Sequence, residues 1–271
     1  MYSEIYNNEE NIVTRIYTAC NDRPNNSEHA WVVPSKCPKV PDFDRYEMCR
    51  VMRGRLLLFI GDSLTVNTVE TFLNAMGNRT VFTPSPILQS FSWCETPFTT
   101  LIIMAPNIRD HVHLYYSMIQ EHSSYCCLVV VASWGIHFVE DEVFSGALQQ
   151  HLSFFLSLNA TFIFRGGSMA HLDCSLYTGP DNSYNLTPAD HPDHPEWHWA
   201  AAPGQSTRVA RPLLKAENKQ YFLDLMVMNQ RRPDRHPGGV DCLHYCIPGP
   251  IDQWIRLVFA TLHLIHIGGF S

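Results

Sequence analysis

The sequence lacks several features that would indicate whole classes of protein. It has no run of the roughly 18 uncharged apolar residues that a membrane-spanning helix needs, since the apolar run at residues 255–267 is shorter and contains Arg256. It shows no apolar signal-peptide core and no C-x-x-C pair of the zinc-ribbon type. Basic residues are few, because 19 Lys and Arg stand against 26 Asp and Glu. The net charge of −7 argues against nucleic acid as a partner.

Cysteine, in contrast, is abundant. Nine cysteines spread from Cys20 to Cys246 indicate disulfide bonds formed in an oxidising compartment, and their odd number leaves at least one thiol unpaired. Four N-x-S/T sequons agree with a secreted glycoprotein: Asn25, Asn78, Asn159 and Asn185. With 271 residues, of which 45% are hydrophobic, the chain is long enough for one large globular domain.

Residues 1–50 differ from the rest of the chain. They are polar and contain four prolines between Pro24 and Pro41, so we expect an irregular segment that wraps the domain. In residues 51–271, short continuous apolar runs alternate with stretches in which apolar residues recur at helical spacing. This part of the chain is expected to form the domain itself.

The apolar pattern of residues 51–271 predicts an α/β fold. Short continuous apolar runs, typical of strands buried on both faces, occur at 56–60, 128–132, 161–164 and 221–227. Apolar residues at helical spacing occur at 64–76, 139–158 and 251–264. This alternation predicts a mostly parallel sheet with helices on both faces. The stretch 173–210, rich in Pro, His, Asp and Asn, is expected to be a long loop.

The first predicted strand ends in the turn Gly61-Asp62-Ser63, which leads directly into a helix. At the carboxyl edge of a parallel sheet, a serine in such a turn lies beside helix N-terminal N–H groups, which stabilise an oxyanion. Ser63 is therefore a candidate nucleophile, and its own amide is a candidate oxyanion donor. The alternative is that Ser63 only caps the helix, as serines at such positions usually do.

An aspartate and a histidine lie close together near the end of the sequence, in Asp241-Cys242-Leu243-His244. A serine hydroxyl becomes a nucleophile when an imidazole removes its proton, and a carboxylate fixes the tautomer of that imidazole. An Asp three residues before a His supplies both groups from one loop. We therefore predict His244 as the base and Asp241 as its partner. His236 is a rival base, but its neighbouring carboxylate, Asp234, is only two residues away.

The G-D-S-L turn and the later D-x-x-H together resemble the SGNH/GDSL hydrolase superfamily. Within it, the chain is similar to the trichome-birefringence-like and PC-esterase group, which are polysaccharide O-acetyltransferases and related esterases. The opening segment 53–63 and the closing segments 232–238 and 241–254 carry this resemblance, which extends from residue 31 to residue 262. It implies an SGNH-like α/β fold with 51–271 as the catalytic domain.

The resemblance also implies roles at two further strand ends. Ser133 stands where the group has an oxyanion-hole asparagine, and Gly135 and His137 match the rest of that N-x-G-x-H pattern. Serine donates with a shorter reach, and losing one oxyanion donor costs about 10²–10³-fold in rate. Gly135 is equally well explained as an ordinary turn residue. Arg165 either lines an acceptor groove or braces the site, so Asp62, Arg165 and His137 are candidates for substrate contact.

The segment 191–199 is rich in histidine and tryptophan. Trp197 and Trp199 are candidates for stacking on sugar rings, with an ordinary exposed loop as the alternative. The side chains of His191, His194 and His198 are of a type that binds zinc, but the prolines between them prevent a shared helix face. We therefore predict no metal site.

The residues and the resemblance together predict acyl transfer, with acetyl passing through an acyl-enzyme on Ser63 to a hydroxyl of a polysaccharide or oligosaccharide. Hydrolysis of the same ester is one alternative, and a carbohydrate-binding relative without turnover is another. We expect no cofactor, and an acetyl donor of unknown identity is the co-substrate. The resemblance implies the Golgi lumen and attachment to the membrane through an anchor, which is not visible in this sequence.

Overall fold

The computed structural model describes residues 39–77, 89–93, 96–100, 127–134, 140–167, 169–181, 190–193, 195, 198–239 and 241–268. In these ranges the strands are β1 (Arg55–Gly61), β2 (Gln89–Trp93), β3 (Thr96–Thr100), β4 (Cys127–Ser133), β5 (Thr161–Gly166) and β6 (Gln220–Asp224). The α-helices are α1 (Arg45–Met52), α2 (Ser63–Ala75), α3 (Asp141–Ser157), α4 (Ala202–Gln205), α5 (Arg211–Leu213), α6 (Met226–Gln230) and α7 (Pro250–His266). A π-helical segment, Ser206–Ala210, joins α4 to α5, and 3₁₀ turns occur at Cys174–Leu176, Ala216–Asn218 and Pro233–Arg235.

One parallel sheet organises the described residues, with strand order β1-β4-β5-β6, while β2 and β3 form a separate antiparallel pair. Parallel strands bring their carboxyl ends to one edge, where Gly61 lies opposite Ser133 and Gly166 opposite Asp224. The predicted mostly parallel sheet is therefore confirmed, and the turn before Ser63 lies at the edge where α/β proteins carry their sites.

Helices cover both faces of this sheet, as predicted from the continuous apolar strands. Leu56, Leu58 and Ile60 of β1 join a core cluster with the buried side chains of α3. The alternate residues Leu57 and Phe59 join a second cluster, with side chains from α1, α2 and α7. In the part of the chain that the structure describes, no helix is both long enough and apolar enough to cross a membrane.

Helix α1 corrects the expectation that the first fifty residues are irregular throughout. The Asp44 carboxylate accepts the N–H groups of Tyr46 and Glu47 and so caps this helix. Met48 and Val51, three residues apart, are buried in the second core cluster. The predicted boundary at residue 50 therefore falls inside a helix that packs on the domain.

Two other predicted elements end elsewhere in the structure. The fourth strand stops at Asp224 instead of continuing to residue 227, because the Asp224 carboxylate accepts the N–H of Met226 at 3.0 Å and α6 begins there. The stretch 173–210 is not a single loop, because its described part includes α4, the π-helical segment and a 3₁₀ turn.

Candidate active site

Ser63 is the first residue of α2 and comes directly after the turn at the end of β1. The N-cap of this helix is Asp62, whose Oδ1 accepts the N–H of Leu64 at 3.1 Å. The interpretation of Ser63 as merely a helix cap is therefore wrong. Its hydroxyl is available for another partner, and its N–H is among the first donors of the helix, which have no carbonyl partner within the helix itself.

The turn before Ser63 depends on a close approach between β1 and β4. The N–H of Asp62 donates to the carbonyl oxygen of Ser133 at 3.3 Å, and the Thr65 hydroxyl donates to the same oxygen at 3.4 Å. A Cβ atom on Gly61 would collide with that carbonyl group, so glycine is required for this approach. The backbone at Ser133 thus fixes where α2 begins.

The structure brings Ser63, His244 and Asp241 together across the edge of the sheet. The Nε2 atom of His244 lies 2.8 Å from the Ser63 hydroxyl oxygen. Its Nδ1 atom lies 3.1 Å from each carboxylate oxygen of Asp241, so the Nδ1–H faces the carboxylate and Nε2 is left to accept the serine proton. This arrangement can generate a serine nucleophile and hold the imidazolium that forms when the serine is deprotonated.

The electrostatic environment keeps the Asp241 carboxyl ionised. Burial alone would raise its pKa, but the charge of His244 and the hydrogen bonds outweigh it and hold the pKa well below its usual range. Its Oδ1 also accepts the N–H groups of Leu243 and His244, at 3.3 and 3.0 Å. Burial would likewise lower the pKa of His244, but Asp241 opposes this and the imidazole pKa ends above its ordinary value. Asp62 and Glu70 add to that rise.

The loop that carries Asp241 and His244 has no regular secondary structure and is held by tertiary bonds. A disulfide joins Cys242, the residue after Asp241, to Cys174. The N–H of His171 donates to the Cys242 carbonyl at 2.9 Å, and the buried Tyr245 hydroxyl donates to a main-chain carbonyl, that of Met169, at 2.8 Å. Cys246 is disulfide-bonded as well, as is Cys49 in α1.

The predicted oxyanion donors are only partly described. Ser133 ends β4 beside the turn, and its side chain is buried. Its backbone carbonyl has the structural role given above, while donation from its hydroxyl to an oxyanion stays a prediction. Gly135 and His137 lie outside the described residues, so their predicted roles stay predictions as well.

Three candidates for substrate contact are buried, which corrects their predicted role. Asp62 is only 4% exposed and caps α2. Arg165 is 1% exposed, and its guanidinium carbon lies 4.2 Å from the centre of the Trp254 ring on α7, so it braces the core instead of lining a groove. Burial lowers the pKa of Arg165 to about 10, although Asp62 and Tyr245 oppose the shift. Trp199 is 2% exposed and packs in a core cluster, which leaves no open face for a sugar.

The histidine- and tryptophan-rich segment otherwise stays largely untested. Trp197 and His194 lie outside the described residues. His191 is buried with its ring 5.2 Å from that of Trp199. Among the residues that the structure describes, no group of three or more His, Cys, Asp or Glu side chains is arranged to hold a metal ion.

Sequence reasoning missed two polar residues on the helix that begins with Ser63. Asn67 and Glu70, four and seven residues after Ser63, are buried on the same helix face. The described residues provide no hydrogen-bond partner for the Asn67 amide or for Oε2 of Glu70. Burial raises the pKa of Glu70 to about 7, although the charge of His244 opposes the shift. The signal in the sequence that could have identified Asn67 and Glu70 was their spacing from Ser63 within a mostly apolar helix.

Comparison with known proteins finds one matching family model and several relatives. The family model of PC-Esterase, described as a GDSL/SGNH-like acyl-esterase family found in Pmr5 and Cas1p, matches residues 141–261, a range that includes Asp241 and His244. Over that range the chain is similar to the PC-esterase family.

The relatives in this group extend the match over most of the chain. The trichome birefringence-like 38 protein of Arabidopsis thaliana is 23% identical over 282 residues, which are 87% of this chain and 73% of that protein. Trichome birefringence-like 18 is 24% identical over 89% of this chain, which spans 60% of that relative. Xyloglucan O-acetyltransferase 1, from the same plant, is 24% identical over 84% of this chain and 69% of its own length. The predicted resemblance to the trichome-birefringence-like and PC-esterase group is thus confirmed.

Proposed function

We propose that this protein transfers an acetyl group to hydroxyls of a polysaccharide through an acyl-enzyme on Ser63. The observation that carries the proposal is the 2.8 Å contact between the Ser63 hydroxyl and His244, with Asp241 on the other side of the ring. Relatives named xyloglucan O-acetyltransferase, from Arabidopsis thaliana and Populus trichocarpa, support acetyl transfer and a plant-type glucan as the acceptor class.

In the first half-reaction, Nε2 of His244 takes the proton of the Ser63 hydroxyl as Oγ attacks the carbonyl carbon of the acetyl donor. The negative charge moves to the carbonyl oxygen, which the Ser63 N–H at the start of α2 stabilises, with Gly135 and Ser133 as proposed further donors. The tetrahedral intermediate then collapses, and His244 returns the proton to the departing group. Acetyl is left as an ester on Ser63.

In the second half-reaction, His244 removes the proton from a sugar hydroxyl, whose oxygen attacks the acetyl carbon. The second tetrahedral intermediate then collapses, the bond from the acetyl carbon to Oγ of Ser63 breaks, and His244 returns the proton to Oγ. Asp241 holds the Nδ1–H throughout and stabilises the imidazolium in both steps. The acetyl donor is a co-substrate, and the scheme uses no cofactor. If water attacks in place of the sugar, the same machinery is an esterase.

We place the reaction in the lumen of the Golgi. The disulfide between Cys174 and Cys242 supports this, because structural disulfides persist in oxidising compartments, and it fixes the loop on which the base lies. A carbohydrate-binding protein without turnover is the remaining alternative, and it predicts that Ser63 has no enhanced reactivity.

The test is acetate release from an activated acetyl ester, with and without acetyl-free xyloglucan oligosaccharides, together with labelling by a serine-directed fluorophosphonate. We expect Ser63→Ala to lower kcat by about 10⁴-fold or more and to abolish labelling. Ser145→Ala, a serine on α3 whose hydroxyl contacts Gln149, is the control and should behave as wild type. Acetylated sugar in the product selects transferase over esterase. A folded wild type that is neither labelled nor active would overturn the proposal.

A further inference from the structure

Two histidines that take no part in the proposed reaction lie behind the loop that carries the base. His171 and His236 are both buried, and their ring centres are 4.9 Å apart. Nδ1 of His171 lies 2.6 Å from Nε2 of His236. On its other side, Nδ1 of His236 lies 2.6 Å from the main-chain carbonyl oxygen of His244. A line of hydrogen bonds thus leads from His171 to the residue that acts as the base.

The distances determine which nitrogen atoms carry protons. A carbonyl oxygen only accepts, so Nδ1 of His236 must donate to His244. In a neutral ring, Nε2 of His236 then carries a lone pair, and a contact of 2.6 Å is attractive only if Nδ1 of His171 donates to it. Burial lowers the pKa of both rings, and their mutual repulsion lowers that of His236 further, so the neutral forms are favoured. Two neutral rings hold two protons for three contacts, and the longest contact, 3.2 Å between Nε2 of His171 and the carbonyl oxygen of Gln230, is the one left without a proton. Each ring therefore carries its single proton at Nδ1.

The opposite tautomer of His236 would disturb the base. With its proton on Nε2, His236 would present a lone pair to the His244 carbonyl oxygen at 2.6 Å, and two buried acceptors would repel each other. His171 prevents this, because its Nδ1–H requires Nε2 of His236 to accept. The main chain of His171 is itself held, because its N–H donates to the carbonyl oxygen of Cys242.

The pair contacts His244 at a position that the Asp241 side chain does not restrain. Asp241 holds the N–H and the ring of His244, whereas His236 holds its carbonyl oxygen. The His236 ring is kept in place by Tyr245, whose ring centre lies 4.4 Å away. Restraint at both ends of the residue limits the freedom of the imidazole to leave Ser63.

We propose that His171 and His236 are a tautomer-locked pair of positioning residues, which hold the main chain of His244 so that its Nε2 stays within reach of Ser63. This inference rests on the proposed function, in which His244 is the base. It assigns to His236 a role in place of the rival base that its sequence position suggested.

Two substitutions of His236 separate this role from simple packing. The amide nitrogen of asparagine lies close to the position of Nδ1, whereas that of glutamine lies close to the position of Nε2. We expect kcat of His236→Asn to exceed that of His236→Gln by tenfold or more, with KM values within about threefold of each other, because only asparagine can still donate to the His244 carbonyl. Equal kcat values in two folded variants, or a difference carried by KM alone, would overturn the proposal.

Nitrogen NMR of the histidine-labelled protein tests the same inference without any measurement of activity. We expect the rings of His171 and His236 to be protonated at Nδ1 between pH 6 and 8, with assignments from the resonances lost in each single variant. His171→Leu removes the donor to Nε2 of His236 and should move the resonance of that nitrogen toward the value of a free imidazole nitrogen, while His171→Asn, which keeps a donor at the δ position, should not. An Nε2–H tautomer of His236 in the wild type contradicts the proposal, even if Ser63 is active. An inert Ser63 with the expected tautomers contradicts only the proposed function.

Discussion

Ser63 and His244 lie 2.8 Å apart, yet the two regions that bring them together are built in different ways. Ser63 is the first residue of the 13-residue helix that follows β1, and short local hydrogen bonds around Asp62 determine its position. His244 lies in a loop without regular structure, held by a disulfide, by the His236 ring and by main-chain bonds from distant residues. One region relies on secondary structure and the other on long-range cross-links.

The difference shows what each kind of support costs. A strand–turn–helix unit fixes a side chain through interactions between near neighbours, so its position follows as soon as the sheet forms. A loop has to be ordered against its backbone entropy of about 1–2 kcal/mol per residue, and only contacts from other parts of the chain offset that loss. We therefore expect the base loop to depend on single distant bonds, and the nucleophile turn to depend on close packing.

The largest expected effect comes from removing the cross-link of the base loop. Cys174 and Cys242 are 68 residues apart, and closing a loop of that length in the unfolded chain contributes about 4 kcal/mol to stability. The double variant Cys174→Ser, Cys242→Ser should lose about this much free energy of unfolding in urea titrations. It should also lose kcat under conditions where it is folded, because Asp241 and His244 flank Cys242.

Cys127→Ser is the matched control, because it replaces an exposed cysteine at the start of β4. We expect it to change the free energy of unfolding by no more than about 0.5 kcal/mol. If the double variant were as stable and as active as this control, the base loop would not depend on its disulfide and the contrast between the two regions would be lost.

The second effect concerns Glu70, a buried carboxyl on the helix of the nucleophile. Burial raises its pKa from 4.5 to about 7, so the folded protein keeps a proton that the unfolded chain releases. This stabilising contribution is complete below pH 4.5 and is lost as the pH rises through 7. Glu70→Gln lacks this pH-dependent contribution. At about 1.4 kcal/mol per pKa unit, its free energy of unfolding should therefore rise by about 3 kcal/mol relative to that of wild type between pH 4 and pH 8.

Unfolding titrations at a series of pH values measure this difference directly. Glu142→Gln, which removes an exposed carboxylate from α3, should follow the wild-type curve at every pH. Parallel curves for wild type and Glu70→Gln would mean that Glu70 titrates in the folded protein as it does in the unfolded chain. The nucleophile helix would then carry no carboxyl whose pKa is raised by burial, and the two regions would differ less than we infer.

The third effect tests whether close packing positions the nucleophile turn. A Cβ on Gly61 would collide with the Ser133 carbonyl group, so Gly61→Ala should force β1 and β4 apart and cost about 2–3 kcal/mol of stability. Gly239, beside the base loop, has open space around it, and only its φ of +64° disfavours alanine, at a cost of about 1 kcal/mol. Thermal unfolding of both variants gives the comparison. Equal losses would show that packing does not distinguish the two turns.

The same contrast explains how much could be predicted from the sequence. The sheet and the helices were predictable from local apolar periodicity, and the turn before Ser63 from the break at Gly61-Asp62-Ser63. All these signals lie in residues that are neighbours in the chain. The D-x-x-H spacing predicted that Asp241 and His244 would pair, because both lie on one loop, and the structure places the Asp241 carboxylate 3.1 Å from Nδ1 of His244. The pairing of Cys174 with Cys242 joins residues far apart in the chain, and no local pattern encodes it.

Burial of aromatic and charged side chains was the other limit. Trp199 was a candidate for sugar contact because of its residue type. Arg165 was a candidate because of the family resemblance, either to line an acceptor groove or to brace the site. Packing against distant segments buries both of them instead, Trp199 in a core cluster and Arg165 against Trp254. The tertiary fold decides such burial, and single-residue chemistry does not reveal it.

The smallest effect concerns Asp62, where the two regions influence each other through charge. Its carboxylate caps α2 and also raises the pKa of His244, after the larger contribution of Asp241. Asparagine caps a helix about as well as aspartate, so Asp62→Ala should be about 1 kcal/mol less stable than Asp62→Asn, which isolates the cap. Both variants lack the charge, so the pKa of His244 should fall in each.

In the proposed reaction His244 acts unprotonated, so a lower pKa should move the acidic limb of the kcat/KM profile to lower pH by the same amount in Asp62→Asn and Asp62→Ala. If the limb stays where it is in wild type, the charge of Asp62 does not reach His244. If the limb moves in the alanine variant alone, loss of the cap has displaced α2 and Ser63 with it. In that case the nucleophile turn influences His244 through its geometry, and not through the charge of the Asp62 side chain, which is 4% exposed.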